Sequence, residues 1–335
     1  MSTLSRLNVP PQLAIGAGAS GIVGEEARRL KVRRALVMTD PGLAEVGMAD
    51  AVCGHLSKAG VESLVYARVQ PDPTDVNVEE GLELLRGHAC DAVIGIGGGS
   101  SMDAAKAVSV MSANSGAIAD YMGSHKVPNA GVPIIAIPTT AGTGSEVTKV
   151  VVIGDTGRNV KMMCLDLNFL PSVALVDYEL SMTMPKTLTA NVGIDSLVHA
   201  VEAYISRKAH PTTDCLALSA IGLITANVRT AWAQPDNAPA REAMMLGASQ
   251  AGMAFSNSSV ALVHGMSRPI GANFHLPHGL SNGVLAPAVM RYNAPACIDR
   301  FAVIAHAMGL EVTGLTDAQA ADRAVAAFEE LNRDL

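Results

Sequence analysis

No basic stripe runs anywhere along this sequence. Its 335 residues carry 24 lysines and arginines against 31 acidic residues, a net charge of -7, so the dense phosphate neutralisation on which nucleic-acid binding depends is missing. A nucleic-acid partner is not expected. Disulfides are not expected either: the five cysteines (Cys53, Cys90, Cys164, Cys215, Cys297) are odd in number, scattered and never at CxxC spacing, which also removes a thiolate zinc site. The opening MSTLSRLNVPPQL lacks the succession of charged, apolar and small residues that marks a secretory leader. No stretch of membrane-spanning length is free of charge, proline or glycine clusters. A cytoplasmic protein with reduced thiols and no membrane partner is the expectation.

Apolar surface, by contrast, is plentiful. Hydrophobic residues make up 49% of the chain and charged residues 16%, enough for large cores with no low-complexity segment. The length exceeds one ordinary core and suits two lobes with a cleft between them. From the N-terminus to about residue 180, short β-rich runs (RALVMTD, VESLVYARV, DAVIGIGGGS, VPIIAIPTT) alternate with helix-like stretches. That alternation marks βαβ units on a parallel sheet. After MTMPKTLTA the pattern changes to long Ala/Leu/Met-rich stretches at helical period, broken by AQPDNAP and RPIGANFHLPHG. The expected architecture is therefore a Rossmann-like α/β nucleotide-binding domain over 1–185 and an all-α domain over 186–335.

DAVIGIGGGSSMDAAKAV reads as a buried strand, a glycine-rich turn and a helix. Gly97, Gly98 and Gly99 let the backbone approach an anion, and the free N–H groups and dipole of the helix start attract it. A pyrophosphate cradle results, although a tight strand-to-helix turn would use the same glycines. Ser100 can donate to a phosphate or cap the helix. Asp103, one turn on, can face a cofactor or simply favour the helix N-terminus. A literal GxGxxG also occurs at Gly16, Gly18 and Gly21, but its preceding strand is short and starts after Pro10-Pro11, so it reads as a structural turn. Asp40 ends RALVMTD, where the carboxyl end of a parallel strand faces the ligand crevice; a carboxylate there suits ribose hydroxyls and repels a 2′-phosphate, favouring NAD over NADP. It suits a turn before Pro41-Gly42 nearly as well. IPTTAGTGSE offers Thr139, Thr140, Thr143 and Ser145 around two glycines, for phosphate or ribose contacts or for a capped turn.

GIDSLVHAVEAY places Asp195 and His199 at i and i+4, on one helix face. Downstream come His264, near the end of an apolar helix, and His278, directly after Pro277 where another helix begins. The Pro/Gly loop between them can swing His278 back towards His264. Three imidazoles and a carboxylate suit Fe(II) or Zn(II) and not an oxygen-only magnesium or calcium cage. Any one of these histidines alone reads as a core residue; the cluster changes that. His275 is a possible relay, an outer partner of the site or a surface residue, while His55, His88, His125, His210 and His306 read as structural.

These segments together resemble the iron-containing alcohol dehydrogenase family. GGGSSMDAAKA is similar to that family's pyrophosphate loop, IPTTAGTGSEVT to its second cofactor loop, and DSLVHAVEAY, VHGMSRPIG and FHLPHG to its metal-binding segments. The similarity runs from the first strand to about Tyr292. It implies a dehydroquinate synthase-like fold, a metal held by Asp195, His199, His264 and His278, a nicotinamide reaching it across the cleft, and a homodimer. Asp40, Gly97, Gly98, Gly99, Ser100, Asp103, Thr139, Thr140, Thr143 and Lys161 fall where family members contact the dinucleotide; for Lys161 the resemblance is the whole case. The activity implied is hydride transfer between NAD(H) and a small alcohol or aldehyde.

Two departures from the family pattern bear on mechanism. Arg268 stands where several relatives have a histidine that relays the alcohol proton, and an arginine cannot titrate near neutral pH. Either His275, a ribose hydroxyl or water moves the proton, or Arg268 binds an anionic substrate group. The chain is also shorter at its C-terminus than its relatives, so a reduced helical domain is expected. The rival readings are a nucleotide-binding member without turnover and a non-redox enzyme of the dehydroquinate synthase type, which would need a richly basic pocket.

Overall fold

The computed structural model describes residues 4–274 and 276–335, with the main chain alone at 271–273. Strands form at β1 (Gln12–Ile15), β2 (Arg34–Met38), β3 (Glu62–Tyr66), β4 (Ala92–Gly97), β5 (Gly123–Ser124), β6 (Ile134–Pro138), β7 (Val150–Asp155), β8 (Val160–Leu165) and β9 (Val173–Val176). The first five helices lie among them: α1 (Val23–Arg29), α2 (Pro41–Glu45), α3 (Met48–Lys58), α4 (Asp75–Gly87) and α5 (Gly99–Met111). Seven follow: α6 (Lys186–Ile205), α7 (Pro211–Ala233), α8 (Ala238–Ser258), α9 (Leu262–Phe274), α10 (His278–Asn293), α11 (Ile298–Ala307) and α12 (Asp317–Asp334).

The chain divides into two compact units. The α/β unit comprises Val9–Thr139 and Ser145–Leu180; the helical unit comprises Ser181–Leu335, Thr140–Gly144 and the segment up to Asn8. The α/β unit thus stops short of residue 185 and yields Thr140–Gly144 to the helices. Small residues are the reason. A Cβ at Gly144 would lie 2.6 Å from Gly252 Cα and one at Gly142 2.5 Å from Val192 Cβ, so this loop fits against α6 and α8 only because it is nearly bare. Ser196 of α6 donates to Ala141 O at 3.1 Å.

In the α/β unit a six-stranded sheet runs β1-β9-β6-β4-β2-β3, parallel at every pairing. Its central strands are continuous apolar runs because helices cover both faces. Alternate residues go to opposite cores: Leu36 and Met38 pack with Ala104, Ala105 and Val108, whereas Ala35 and Val37 pack with Val23, Val52 and Leu56, as the two-residue strand period requires. Gly95 sets the approach of α5 to β4: a Cβ there would fall 2.9 Å from Ala105 Cβ and 3.1 Å from Met102 Cα. A second sheet, β5-β8-β7, is tied to α5 by charge. Fully buried Lys106 donates to Ser145 Oγ at 2.8 Å, Thr148 Oγ1 at 3.2 Å and Val150 O at 3.1 Å. Asp103 lies 3.8 Å from it and accepts from Ser145 Oγ at 2.5 Å and Val152 N at 2.8 Å.

The helical unit fills its core with alanine, valine and methionine. On α7 the buried stripe is Ala217, Ala220, Ile221, Ile224 and Val228, a spacing that keeps one helix face inward. This helix is long and apolar enough to cross a membrane by length and composition, yet it carries Asp214, paired with Arg300 at 2.9 Å.

Two stability measurements test this packing. Gly95→Ala should cost about 1–3 kcal/mol through overpacking, seen as a lower thermal midpoint of the α/β unit. Burial pushes Lys106 from 10.5 down to about 8, against the attraction of Asp103 and Glu146. The unfolded chain therefore binds that proton over a window in which the folded protein does not, and stability must rise with pH between about 8 and 10.5. Lys106→Met should flatten the dependence of the thermal midpoint on pH across that window.

Candidate active site

Helix α6 positions the first two ligands. Asp195 and His199 follow each other by one turn, both buried at 3% and 5% exposure. The chain then runs through α7 and α8 and delivers His264 in the first turn of α9 and His278 as the first residue of α10. The start of α10 is pressed onto α6, since a Cβ at Gly279 would lie 2.3 Å from Asn191 O. The result brings the ligand atoms of Asp195, His199, His264 and His278 within 4.8 Å of one another. His264 Nε2 is 3.6 Å and His278 Nε2 4.0 Å from Asp195 Oδ1. The His199 ring stacks on Phe255 and on His264, each at 4.4 Å between centroids. His278, with its side chain 45% exposed, marks the open side of the cluster.

The electrostatics are those of a cation site. Burial would raise the Asp195 carboxyl, but the His278 and His264 rings beside it outweigh this and hold it far below the ordinary carboxylate range. Burial pushes His199 down to about 3 against the pull of Asp195, so its ring is neutral, the state a metal ligand needs. His199 Nδ1 and Asn282 Oδ1 are buried without a hydrogen-bond partner. Three imidazoles, one ionised carboxylate and an orphaned ring nitrogen fit a divalent transition ion such as Fe(II) or Zn(II).

Two residues that sequence reasoning missed complete the cluster. Glu202, fully buried on α6, faces His264 Nδ1 at 2.7 Å. Asn282 Nδ2 donates to Asp195 Oδ1 at 2.6 Å and faces His264 Nε2 at 3.1 Å and His278 Nε2 at 3.2 Å. A signal existed for both: Glu202 continues the Asp195 and His199 stripe at i+7, and Asn282 follows His278 at i+4. Arg268 lies one turn beyond His264 on α9 with an exposed surface. Partial burial lowers its guanidinium below the usual value, against the attraction of Glu202. His275 lies outside the described residues.

In the α/β unit the chain connections diverge between β2 and β4: β2 leads outward to β3, while β4 leads the other way to β6. Ligands of open parallel sheets sit at the carboxyl ends of the strands flanking such a point. Asp40 follows β2, and Gly97, Gly98, Gly99 and Ser100 follow β4. Gly97 has φ +144°, and a Cβ on it would come within 2.6 Å of Ser101 Oγ and 3.2 Å of Leu43 Cδ1, so only glycine fits. Gly98 precedes α5 with no side-chain cap on the helix start, leaving first-turn N–H groups to an anion. Asp40 caps α2, accepting from Leu43 N at 3.0 Å. Thr139 continues β6 and donates its N–H to Gly97 O at 3.0 Å, whereas Thr140 and Thr143 belong to the helical unit. Asp103 is engaged with Ser145, Val152 and Lys106 inside the fold, and Lys161 on β8 pairs with Asp72 at 2.7 Å.

The GxGxxG turn differs in one decisive respect. Its donors are already used: Asp177 accepts from Gly18 N at 3.2 Å, Ser20 N at 3.0 Å and Ser20 Oγ at 2.6 Å. The fold supplies its own anion there.

Comparison with known proteins agrees with this geometry. Residues 10–178 match the family described as iron-containing alcohol dehydrogenase, and residues 189–335 match the Fe-containing alcohol dehydrogenase family, C-terminal. The NAD-dependent methanol dehydrogenase of Bacillus methanolicus is 42% identical over 97% of this chain and 86% of its own length. The crystal structure of a 1,3-propanediol oxidoreductase is 40% identical with a TM-score of 0.97, covering 99% of this chain and 87% of that one. The sulfoacetaldehyde reductase of Bifidobacterium kashiwanohense, solved in complex with NAD+, is 30% identical with a TM-score of 0.90, covering 99% and 86%. A match over both units, together with a histidine-rich cluster and an uncapped glycine loop, establishes that the chain belongs to the iron-containing alcohol dehydrogenase family.

Proposed function

We propose that the protein is a metal-dependent, NAD(H)-linked alcohol dehydrogenase that interconverts a small primary alcohol and its aldehyde. The observation that carries this reading is the meeting of Asp195, His199, His264 and His278, with all ligand atoms within 4.8 Å, in a chain of this family. When bound, the ion supplies Lewis acidity toward an alcohol or carbonyl oxygen and the nicotinamide accepts or donates hydride.

The rest is the work of the chain. Asp195, His199 and His264 form a buried floor, and the exposed flank at His278 is where a substrate oxygen arrives. Phe255 and the apolar face of α6 exclude water from the ligand rings. The start of α5, with Gly97, Gly98, Gly99 and Ser100, holds the pyrophosphate. Asp40 retains acceptor capacity beyond its bond to Leu43 and takes the ribose hydroxyls. The assignment of Thr139, Thr140, Thr143 and Lys161 to the dinucleotide rests on family membership; Asp103 acts on the loop through Ser145. Two further expectations belong with this reading. The unpaired state of all five cysteines supports a cytoplasmic setting, and the edge position of β1 offers a surface for a homodimer.

Arg268 narrows the substrate class. It is the only cation in the segments that carry His264 and His278 up to Asn282, and it stays charged at neutral pH. A relative named for sulfoacetaldehyde handles an anionic aldehyde. We therefore assign Arg268 to an anionic group, carboxylate or sulfonate, on the substrate.

Both assignments can be measured. After anaerobic loading with Fe(II) or Zn(II), NADH consumption with short aldehydes should depend on the metal. His264→Ala should lower turnover by roughly a thousandfold or more, the equivalent of the several kcal/mol of charge stabilisation a metal supplies, while NADH binding followed by fluorescence is retained. No turnover despite bound metal and NADH would favour a nucleotide-binding member or non-redox chemistry. Arg268→His should reduce kcat/KM for carboxylated or sulfonated aldehydes about 10- to 100-fold relative to neutral ones, the loss of a hydrogen bond to a charged group. An unchanged preference would remove Arg268 from substrate recognition.

A further inference from the structure

We infer that Glu202 is a positioning residue that fixes the tautomer and orientation of His264, an inference that rests on the metal-dependent reading above. Glu202 is fully buried on α6, and its carboxylate is surrounded by donors from the start of α9. Oε2 accepts from Ala261 N at 2.9 Å and His264 N at 3.3 Å, and Oε1 accepts from Val263 N at 2.5 Å. Oε2 also faces His264 Nδ1 at 2.7 Å. An ionised carboxylate only accepts. The proton of the neutral imidazole must therefore sit on Nδ1, which leaves the Nε2 lone pair directed at the ligand cluster, 3.6 Å from Asp195 Oδ1. One group thus anchors both the backbone and the ring of the same residue.

The backbone leading into α9 is shaped for this contact. Ser259, between α8 and α9, has φ 124° and ψ 159°, a conformation that residues with a side chain rarely adopt and that persists only where surrounding structure holds it. Immediately after it, the N–H groups of Ala261, Val263 and His264 point at Glu202. The conformation is retained where it delivers these donors to one carboxylate. A residue serving only to start α9 would not need its fourth acceptor position on the imidazole, and that position is the one that decides which ring nitrogen is free.

Glu202→Gln separates the two roles. Glutamine keeps the size and one acceptor oxygen, but its NH2 must face either Val263 N–H or the donors grouped on Oε2. The second choice forces the His264 proton onto Nε2; the first leaves two donors opposed. The first keeps an acceptor at Nδ1 but a neutral one, and in both the ring is held less firmly than by the carboxylate. Co(II) affinity, read by competition with a chromophoric chelator, should fall about 10- to 100-fold, the usual effect of removing a partner behind a ligand. The Co(II) ligand-field spectrum should change, and NADH binding should not. Wild-type affinity and spectrum in Glu202→Gln would show that Glu202 only caps α9 and would overturn the inference. If the variant does not fold, nitrogen NMR of histidine-labelled, metal-free wild type decides: at alkaline pH the His264 signal should report Nδ1–H, and an Nε2–H tautomer would overturn it equally. Failure of wild type itself to take up Co(II) would instead sink the metal-dependent reading.

Discussion

A buried carboxylate without a counter-charge is among the most costly groups a fold can contain, and α6 buries two, Asp195 at 3% exposure and Glu202 at 0%. The helical unit is organised around satisfying them. Asp195 is met by Asn282 and by the His264 and His278 rings, and Glu202 by three backbone N–H groups and the far side of the His264 ring. To bring these donors in, α10 must start directly on the α6 backbone, where Gly279 leaves no room for a Cβ beside Asn191 O. The link before α9 must also hold Ser259 at φ 124°. Both are conformational concessions, and both serve the same few buried atoms.

The α/β unit meets an anion in two different ways. At Gly18–Ser20 the turn's N–H groups close on Asp177, so the negative charge is part of the chain and the turn is finished. At Gly97–Ser100 the helix start has no side-chain cap, and the groups that would occupy it lie elsewhere: Asp103 turns inward to Ser145 and Val152 and Lys106 lies below them. Glycine content alone does not distinguish these turns. The distinction lies in where the nearest carboxylate points, a tertiary fact.

That difference also explains how much could be read from the chain. The parallel sheet was legible because strands buried on both faces are uninterrupted apolar runs, and the Asp195/His199 pair was legible because i and i+4 share a helix face. The stretch between His264 and His278, expected as a Pro/Gly loop, is helical through Phe274 with Pro269 inside α9, and His264 starts that helix instead of ending one; their meeting depends on the close approach at Gly279, so spacing leaves it open and family resemblance supplies it. Glu202 is hard to read from the chain because a glutamate in a helix is ordinarily solvated; its neighbours Val198, Val201 and Ala203 are all buried, and that apolar setting is the clue. Asp103 follows the glycine loop by one turn, a place that suits a cofactor contact or a helix start alike. The burial of Lys106 three residues later turns it inward. The loop Thr140–Gly144 belongs with the helices because its glycines and Ala141 pack on α6 and α8, a preference that alternating strand and helix patterns do not encode.

Charge balance links these observations to chemistry. Asp195 and Glu202 together bring two negative charges into a site where His199 is held neutral by burial, down at about 3. His264 answers part of this: burial would lower it, but the carboxylates of Glu202, 2.7 Å from its Nδ1, and Asp195, 3.6 Å from its Nε2, raise it to about 8. A proton returns one positive charge; a divalent ion returns two and leaves the cluster neutral. The carboxylate behind His264 therefore does more than orient a ring, because it makes the cluster short of positive charge unless a divalent cation is bound. A site built from three imidazoles and Asp195 alone would be neutral with only a proton added, and would have correspondingly less reason to prefer a divalent ion over that proton.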